Sequence, residues 1–374
     1  MEFRDLKKQY QVHQKELDDA IKAVIQDTHF ISGPQVTQLE EKLAAYAGVR
    51  HCVTCANGTD ALQLALMALN VGAKDAVFVP DFTFFASGEV VPLTGAVPVF
   101  VDIDADTYNI SPESLEKAVE YVIQHTDLTP RVIVAVDLFG QPAEYDKIRS
   151  IAKRYNMLIL EDAAQAFGGC IGERRTCSFG DISTTSFFPA KPLGCYGDGG
   201  AVFTDNDEWA QILRSLHVHG KGKDKYDNIR IGLNSRLDTL QAAVLLAKMD
   251  FLEEELKRCD QIAAEYTRRL AGAVKTPVIL EGMRCAWAQY TICVDSKEER
   301  EHLMAALKEA GIPTAVYYKK PMHLQQAFAG HLIEAVPCVR TEEICQRCVS
   351  LPMHPYLEEE QIEAVCGQVL NLRK

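Results

Sequence analysis

Short, wholly apolar runs alternate with amphipathic segments through the first half of the chain, and this alternation restricts the fold more than any other feature. The runs read AVFVP from Ala76, VPVFVDI from Val97, RVIVAVDLFG from Arg131 and MLILED from Met157. None alternates apolar with polar residues, so each needs cover on both faces, and such strands separated by helices make a mostly parallel sheet with helices on both sides. Helices are predicted between them. Val36, Leu39, Leu43 and Tyr46 recur at helical spacing up to Gly48. ANGTDALQLALMALN does the same after the strand-like HCVTC, and further helices are expected near Ser114–Tyr121 and over Glu144–Tyr155. FTFFASGEVV is read as another buried run, and a long helix is predicted over Arg236–Lys257. Beyond it the texture changes to a smaller α+β region, with TICVD as a strand, a helix over Lys297–Ala310, and AVYY. The expected architecture is a large α/β domain over residues 1–250 and a small C-terminal domain over 251–374.

Composition bounds the function. With 374 residues, 47% apolar and 24% charged, the chain can bury a sizeable core. Lys and Arg total 39 against 52 Asp and Glu, and 39 − 52 leaves a formal charge of −13. That sign repels phosphate backbones and anionic lipid, so neither nucleic acid nor membrane is expected as a partner. The N-terminus MEFRDLKKQY carries charge from its second residue instead of an apolar leader core, and a cytoplasmic location is expected. The 12 Cys are read as buried thiols. Cys52/Cys55 and Cys345/Cys348 have CxxC spacing but lie far apart in the chain, the first running from a strand into a turn, so no metal is expected. A dinucleotide-binding reading fails at the candidate turn CANGTDAL, which has one glycine where GxGxxG is needed, and no P-loop occurs.

Parallel sheets bind ligands at the carboxyl ends of their strands, so the turns Ala56–Thr59, Glu161–Gln165 and Pro189–Lys191 should converge. Asp162 can pair with a protonated ring nitrogen and Gln165 can donate to a phenolic oxygen, although an acid here also suits a helix cap. Lys191 lies between two prolines in SFFPAKPLG, ahead of Gly197, Gly199 and Gly200. Desolvation would lower its pKa and free an amine to condense with an aldehyde. Its alternative is a snorkelling lysine at a turn. Gly58 and Thr59 open a helix whose first N–H groups bind anions, and Ser186 can add a hydroxyl; a plain helix cap is the alternative. A phosphate cradle, an acid for a pyridinium and a lysine for an aldehyde together describe pyridoxal 5'-phosphate (PLP).

The strings EDAAQAFG, SFFPAKPLGCYGDGGAVFT, GLNSRLDTLQAA and SLPMHPYL resemble the DegT/DnrJ/EryC1/StrS sugar aminotransferases, and the likeness runs from FISGPQV to SLPMHPYL. The resemblance implies a fold-type-I, aspartate aminotransferase-like PLP transferase. It implies Lys191 as the residue that holds the cofactor and shuttles the proton, Asp162 on the pyridine nitrogen, Gln165 on the ring hydroxyl, and Ala164 and Phe84 on the two ring faces. Gly58, Thr59 and Ser186 would hold the phosphate, and Asn234 would reach it from the neighbouring subunit of a homodimer. Relatives with His in place of the lysine dehydrate or deoxygenate; Lys191 favours transamination. Arg236, Tyr317 and Tyr318 match substrate-side positions, though Tyr317-Tyr318-Lys319 stands where close relatives often read His-Tyr-Pro. His323 and His354 are given structural roles, and HGKGKDKYDN from His219 is read as a mobile, solvated loop. The expected reaction transfers an amino group from L-glutamate to C3 of a UDP-linked 3-keto N-acetyl hexuronic acid, for bacterial surface polysaccharide such as lipopolysaccharide O-antigen. The alternatives are another dTDP- or UDP-linked keto sugar, a PLP-dependent dehydratase, and a PLP-binding regulator.

Overall fold

The computed structural model describes residues 1–224 and 226–371, so Lys225 of the Gly-Lys-rich stretch lies outside the described residues. Helices α1 (Leu6–Val12), α2 (Gln14–Asp27) and α3 (Pro34–Ala47) come first, and α3 stops where Gly48 turns left-handed at φ 77°. Then follow β1 (His51–Cys55), α4 (Gly58–Ala68), β2 (Asp75–Pro80), α5 (Ala86–Leu93), β3 (Val97–Val101), α6 (Pro112–His125), β4 (Thr129–Val136), α7 (Tyr145–Arg154) and β5 (Leu158–Asp162). A small hairpin, β6 (Cys170–Ile171) and β7 (Arg174–Arg175), precedes β8 (Ile182–Ser186) and β9 (Gly200–Thr204).

The main sheet has the order β1-β9-β8-β5-β4-β2-β3. It is parallel from β8 to β3, while β9 runs antiparallel to both its neighbours. Side-chain alternation divides the strands between two cores. Val77, Val79, Val132 and Val134 face one core with α4, α5 and α8 (Asp207–Leu216); Ala76, Phe78, Ile133 and Ala135 face another with α6 and α7. FTFFASGEVV does not form a strand. Its apolar residues repeat at helical spacing, and Ala86, Val90 and Val91 bury one side of α5 against Phe100 and Phe328.

The long helix predicted over Arg236–Lys257 is instead two, α9 (Thr239–Met249) and α10 (Leu252–Leu270). Arg236–Asp238 is held extended because Asp238 bridges Ile31 and the Thr239 hydroxyl accepts from Gly33 N at 3.0 Å. The second break falls at Asp250–Phe251, where the Phe251 ring stacks on His13 at 3.5 Å between centroids. No breaker residue marks it, and the contact at the break is with the α1–α2 junction.

Beyond α10 come β10 (Met283–Arg284), which joins the small hairpin, then β11 (Tyr290–Cys293), α11 (Lys297–Glu309), α12 (Val339–Arg347), β12 (Cys348–Leu351) and α13 (Glu359–Asn371). Tyr266, Tyr290, Ile292, Val349, Leu351 and Val365 form a core of their own. AVYY is not a regular strand: Ala315 makes a single bridge to Ser350, and Tyr317 and Tyr318 lie in a turn. Met322, Phe328, Ile344 and Cys345 pack in the first core, and Ile333 bridges Val99. Among the described residues no helix is long and apolar enough to cross a membrane.

Alternation along β5 also separates its two terminal acids. Glu161 is fully buried and faces away from the strand-end cleft; its carboxylate accepts from Cys177 N, Phe179 N and Ser183 Oγ, each at 2.6 Å. Replacing it leaves buried donors unpaired, at about 1–3 kcal/mol each. Glu161→Ala is therefore expected to destabilise the apoprotein by about 3 kcal/mol, measured by urea denaturation followed by circular dichroism. An unchanged midpoint would show that these donors find other partners.

Candidate active site

The first wall of the cleft is the turn from β1 into α4. Asn57 is extended (φ −167°, ψ 172°) and caps α4 by accepting from Asp60 N at 2.8 Å. The N–H groups of Gly58 and Thr59 lie outside the intrahelical ladder and point from the positive end of the helix dipole. The end of β8 closes against this turn. A Cβ on Gly58 would lie 2.7 Å from Ser186 Cβ and 3.1 Å from its hydroxyl, and one on Gly200 would lie 2.5 Å from Asn57 O. Both glycines are needed because backbone and hydroxyl approach within contact distance here. Ser235 Oγ accepts from Ala56 N at 3.1 Å, which lays the Asn234–Arg236 segment alongside.

The floor is Asp162, at 4% exposure. Its Oδ2 accepts from Ser87 Oγ at 2.7 Å and its Oδ1 from Ala164 N at 3.1 Å. Burial pushes this carboxyl up, opposed by the Ser87 hydroxyl, the Ala164 N–H and the charge of Lys191. Lys191 stands across from it on a loop braced by Lys191 N donating to Phe188 O at 2.9 Å and Cys195 N to Phe187 O at 2.8 Å. Burial pushes the amine down to about 8, while Asp162 pulls it up and Arg4 adds to the lowering. Each group is thus shifted toward its neutral form by desolvation and held back by the other's charge. Gln165 is locked at both ends: its Oε1 accepts from Phe139 N at 2.8 Å, and its Nε2 donates to Tyr318 Oη at 3.0 Å. Ala164 is partly exposed above Asp162.

Gly58, Thr59, Asp162, Ala164, Gln165, Ser186 and Lys191 therefore meet at one end of the sheet. Phe84 lies at the rim, 56% exposed, with its ring 6.3 Å from that of Tyr318. Tyr317 and Tyr318 come in from the turn that follows Ala315 and pack against the first core. Asn234 and Arg236 are bonded to each other, Arg236 Nη2 donating to Asn234 Oδ1 at 2.6 Å, and among the described residues neither is bonded to Lys191, Asp162 or Gln165. His323 ties its loop to β2, with Asp81 accepting from His323 N and meeting Nδ1, both at 2.7 Å. Cys338 brings a third donor atom to within 4.8 Å of that pair, but both Asp81 oxygens are already engaged by His323. His354 is buried with both ring nitrogens unpartnered, and burial pushes its pKa down to about 4.

Sequence reasoning missed three residues. Ser87 bonds Asp162, and Thr83 lies behind it with hydroxyls 3.0 Å apart; their i, i+4 spacing in FTFFASG was an available signal. Arg4 donates from Nη2 to Lys191 O at 3.1 Å, and nothing in MEFRDLKK marks it.

The donor set fits PLP. A glycine-lined helix start with two hydroxyls suits a phosphate, a desolvated carboxylate suits a pyridinium, and an amine displaced toward neutrality suits an aldehyde. Residues 11–370 match the model of the DegT/DnrJ/EryC1/StrS aminotransferase family. The UDP-2-acetamido-2-deoxy-3-oxo-D-glucuronate aminotransferase of Pseudomonas aeruginosa is 44% identical over 374 residues, spanning 99% of this chain and 100% of its own. A pleiotropic regulatory protein of Geobacillus stearothermophilus is 41% identical, spanning 98% of this chain and 96% of its own. Among solved structures, a DegT DnrJ EryC1 StrS aminotransferase from Brucella abortus superposes with a TM-score of 0.97 at 48% identity, over 99% of each chain. A Bacillus subtilis protein solved with bound cofactor PMP superposes at 0.87 and 30% identity, over 96% of this chain and 82% of that one. The chain belongs to the DegT/DnrJ/EryC1/StrS aminotransferase family, whose members depend on pyridoxal 5'-phosphate.

Proposed function

We propose that this chain is a PLP-dependent aminotransferase that moves the amino group of L-glutamate to C3 of a UDP-linked 3-keto N-acetyl hexuronic acid, and that it works as a homodimer. The observation that carries the reaction type is the Lys191 amine facing the Asp162 carboxylate in one desolvated cleft. The substrate class is supported by the Pseudomonas relative, similar along its whole length.

Gly58, Thr59 and Ser186 would hold the phosphate, Asp162 the ring nitrogen, and Ala164 and Gln165 the ring's face and hydroxyl edge. When bound, the cofactor supplies an aldehyde that exchanges amino groups and a ring that accepts the electron pair left when a proton departs. The chain's own residues do the rest. Asp162 keeps negative charge against the ring nitrogen, so the ring stays an electron acceptor. Lys191, with a pKa near 8, exists partly as free amine at neutral pH and can take a proton at Nζ and return it. Tyr318 pins the Gln165 amide, so the donor at the hydroxyl edge does not rotate away. Two guanidinium groups are available for substrate carboxylates: Arg236, and Arg4, which among the described residues has no acidic side chain within ion-pair distance.

Apoprotein mixed with PLP should develop its visible absorption at a rate that rises about tenfold per pH unit below 8 and levels off above it, since only the unprotonated amine reacts. A rate independent of pH across that range would remove Lys191 from this role. Lys191→Ala should keep the cofactor yet lose at least about a thousandfold in turnover. Offered a panel of nucleotide-linked keto sugars, the enzyme should consume glutamate and release equimolar 2-oxoglutarate with the UDP-linked hexuronate. Exchanging that sugar's carboxylate for methyl should remove most of the activity; equal rates would reassign the substrate. Ammonia released without glutamate would mark a dehydratase, and cofactor binding without either product a regulator.

A further inference from the structure

Asp162 must remain a carboxylate in a place that favours the neutral acid. At 4% exposure water contributes little, so its charge is sustained by the groups that touch it. One of those contacts, Ala164 N to Oδ1, comes from its own turn. The other comes from a different element: Ser87, in the first turn of α5, reaches across from the β2 connection to Oδ2 at 2.7 Å. Ser87 is 1% exposed and Thr83 3% exposed, with Thr83 Oγ1 3.0 Å from Ser87 Oγ.

The direction of these bonds follows from proton counting. A carboxylate has no proton to give, so the Ser87 hydroxyl donates to Asp162. That hydroxyl has one proton, so toward Thr83 it must accept, and Thr83 donates. Donation from Thr83 polarises Ser87 and strengthens its bond to the charged acceptor. Alanine at position 87 would fit the same space while removing only the hydroxyl.

We propose that Thr83 and Ser87 form a directed hydroxyl relay that positions the Asp162 carboxylate for the pyridine nitrogen of bound PLP, making Ser87 a positioning residue of the transamination. The proposal rests on the aminotransferase reading above. Its consequence is expected at the ring nitrogen, the atom that Asp162 would pair with.

The test compares PLP with its 1-deaza analogue, in which carbon replaces that nitrogen. Apoproteins of wild type, Ser87→Ala, Ser87→Thr and Thr83→Val are titrated with each, and the holoenzymes are assayed for the glutamate half-reaction by stopped flow. A lost bond to a charged acceptor corresponds to about a tenfold effect. Ser87→Ala is expected to bind PLP about tenfold more weakly and 1-deaza-PLP within about twofold of wild type. Its kcat should fall about tenfold with KM for glutamate within about twofold, and Ser87→Thr should restore both. Thr83→Val should show the same pattern at about threefold and serves if Ser87→Ala does not fold. Equal weakening toward both cofactors would assign Ser87 to folding alone, and unchanged PLP affinity and kcat would remove the relay; either result overturns the proposal. Wild-type protein that binds PLP but leaves glutamate untouched would overturn the aminotransferase reading, and the relay with it.

Discussion

Asp162 and Lys191 oppose each other's desolvation, and the rest of the site is arranged around that. Burial drives the carboxyl up and the amine down, and each charge is the other's partial remedy. Were Lys191 exposed, it would be an ordinary ammonium, almost wholly protonated and unreactive toward a carbonyl at neutral pH. Were either alone, an uncompensated charge would sit in a poorly solvated cleft. The pair is therefore a precondition of the chemistry and a local strain on the fold. Bracing surrounds it: the Phe187–Cys195 and Phe188–Lys191 hydrogen bonds hold the lysine loop, while Ser87 and the Ala164 N–H hold the acid.

Sheet order explains how such distant residues meet. β5 and β8 are neighbours and run parallel, so Asp162 and Ser186 leave the sheet at the same edge. β9 returns antiparallel between β8 and β1, so its start at Gly200 meets the turn after β1, where any side chain on that glycine would collide with Asn57 O. One reversed strand thus brings the helix start of Gly58 and Thr59 beside the hydroxyl of Ser186. The end of the cleft proposed for the phosphate and the end that carries Asp162 are positioned by the same row of backbone hydrogen bonds.

Much of this was legible in the sequence, for physical reasons. Strands covered on both faces must be apolar throughout, so AVFVP and RVIVAV announce a parallel sheet, and the carboxyl-end rule then brings Gly58, Asp162 and Lys191 together. What was not legible depends on contacts between remote segments. At the α9–α10 break the Phe251 ring stacks on His13, and neither residue signals it locally. Met322–Cys345 crosses back to the first core because Met322 and Phe328 fit beside Gly88 on α5, where any larger residue would collide with them. Phe84 and Arg4 show the same limit, since a rim aromatic and an N-terminal arginine look like any others until the chain folds around them. Asn234 and Arg236 are a further case: the motif is plain, and in the fold the two side chains bond each other.

The two acids ending β5 show how finely the charge around the cleft is controlled. Glu161 faces the opposite side of the sheet and is neutralised by buried donors rather than by a cation. Behind it Asp137, fully buried at the end of β4, is pushed well up by burial and by the charge of Glu161. Its Oδ1 accepts from Ala143 N at 2.9 Å and from the Tyr145 hydroxyl at 2.8 Å. Asp162, by contrast, turns to Ser87 Oγ and Ala164 N on the cleft side. Strand alternation, which sends consecutive side chains to opposite faces, thus keeps Glu161 out of the cleft that Asp162 lines.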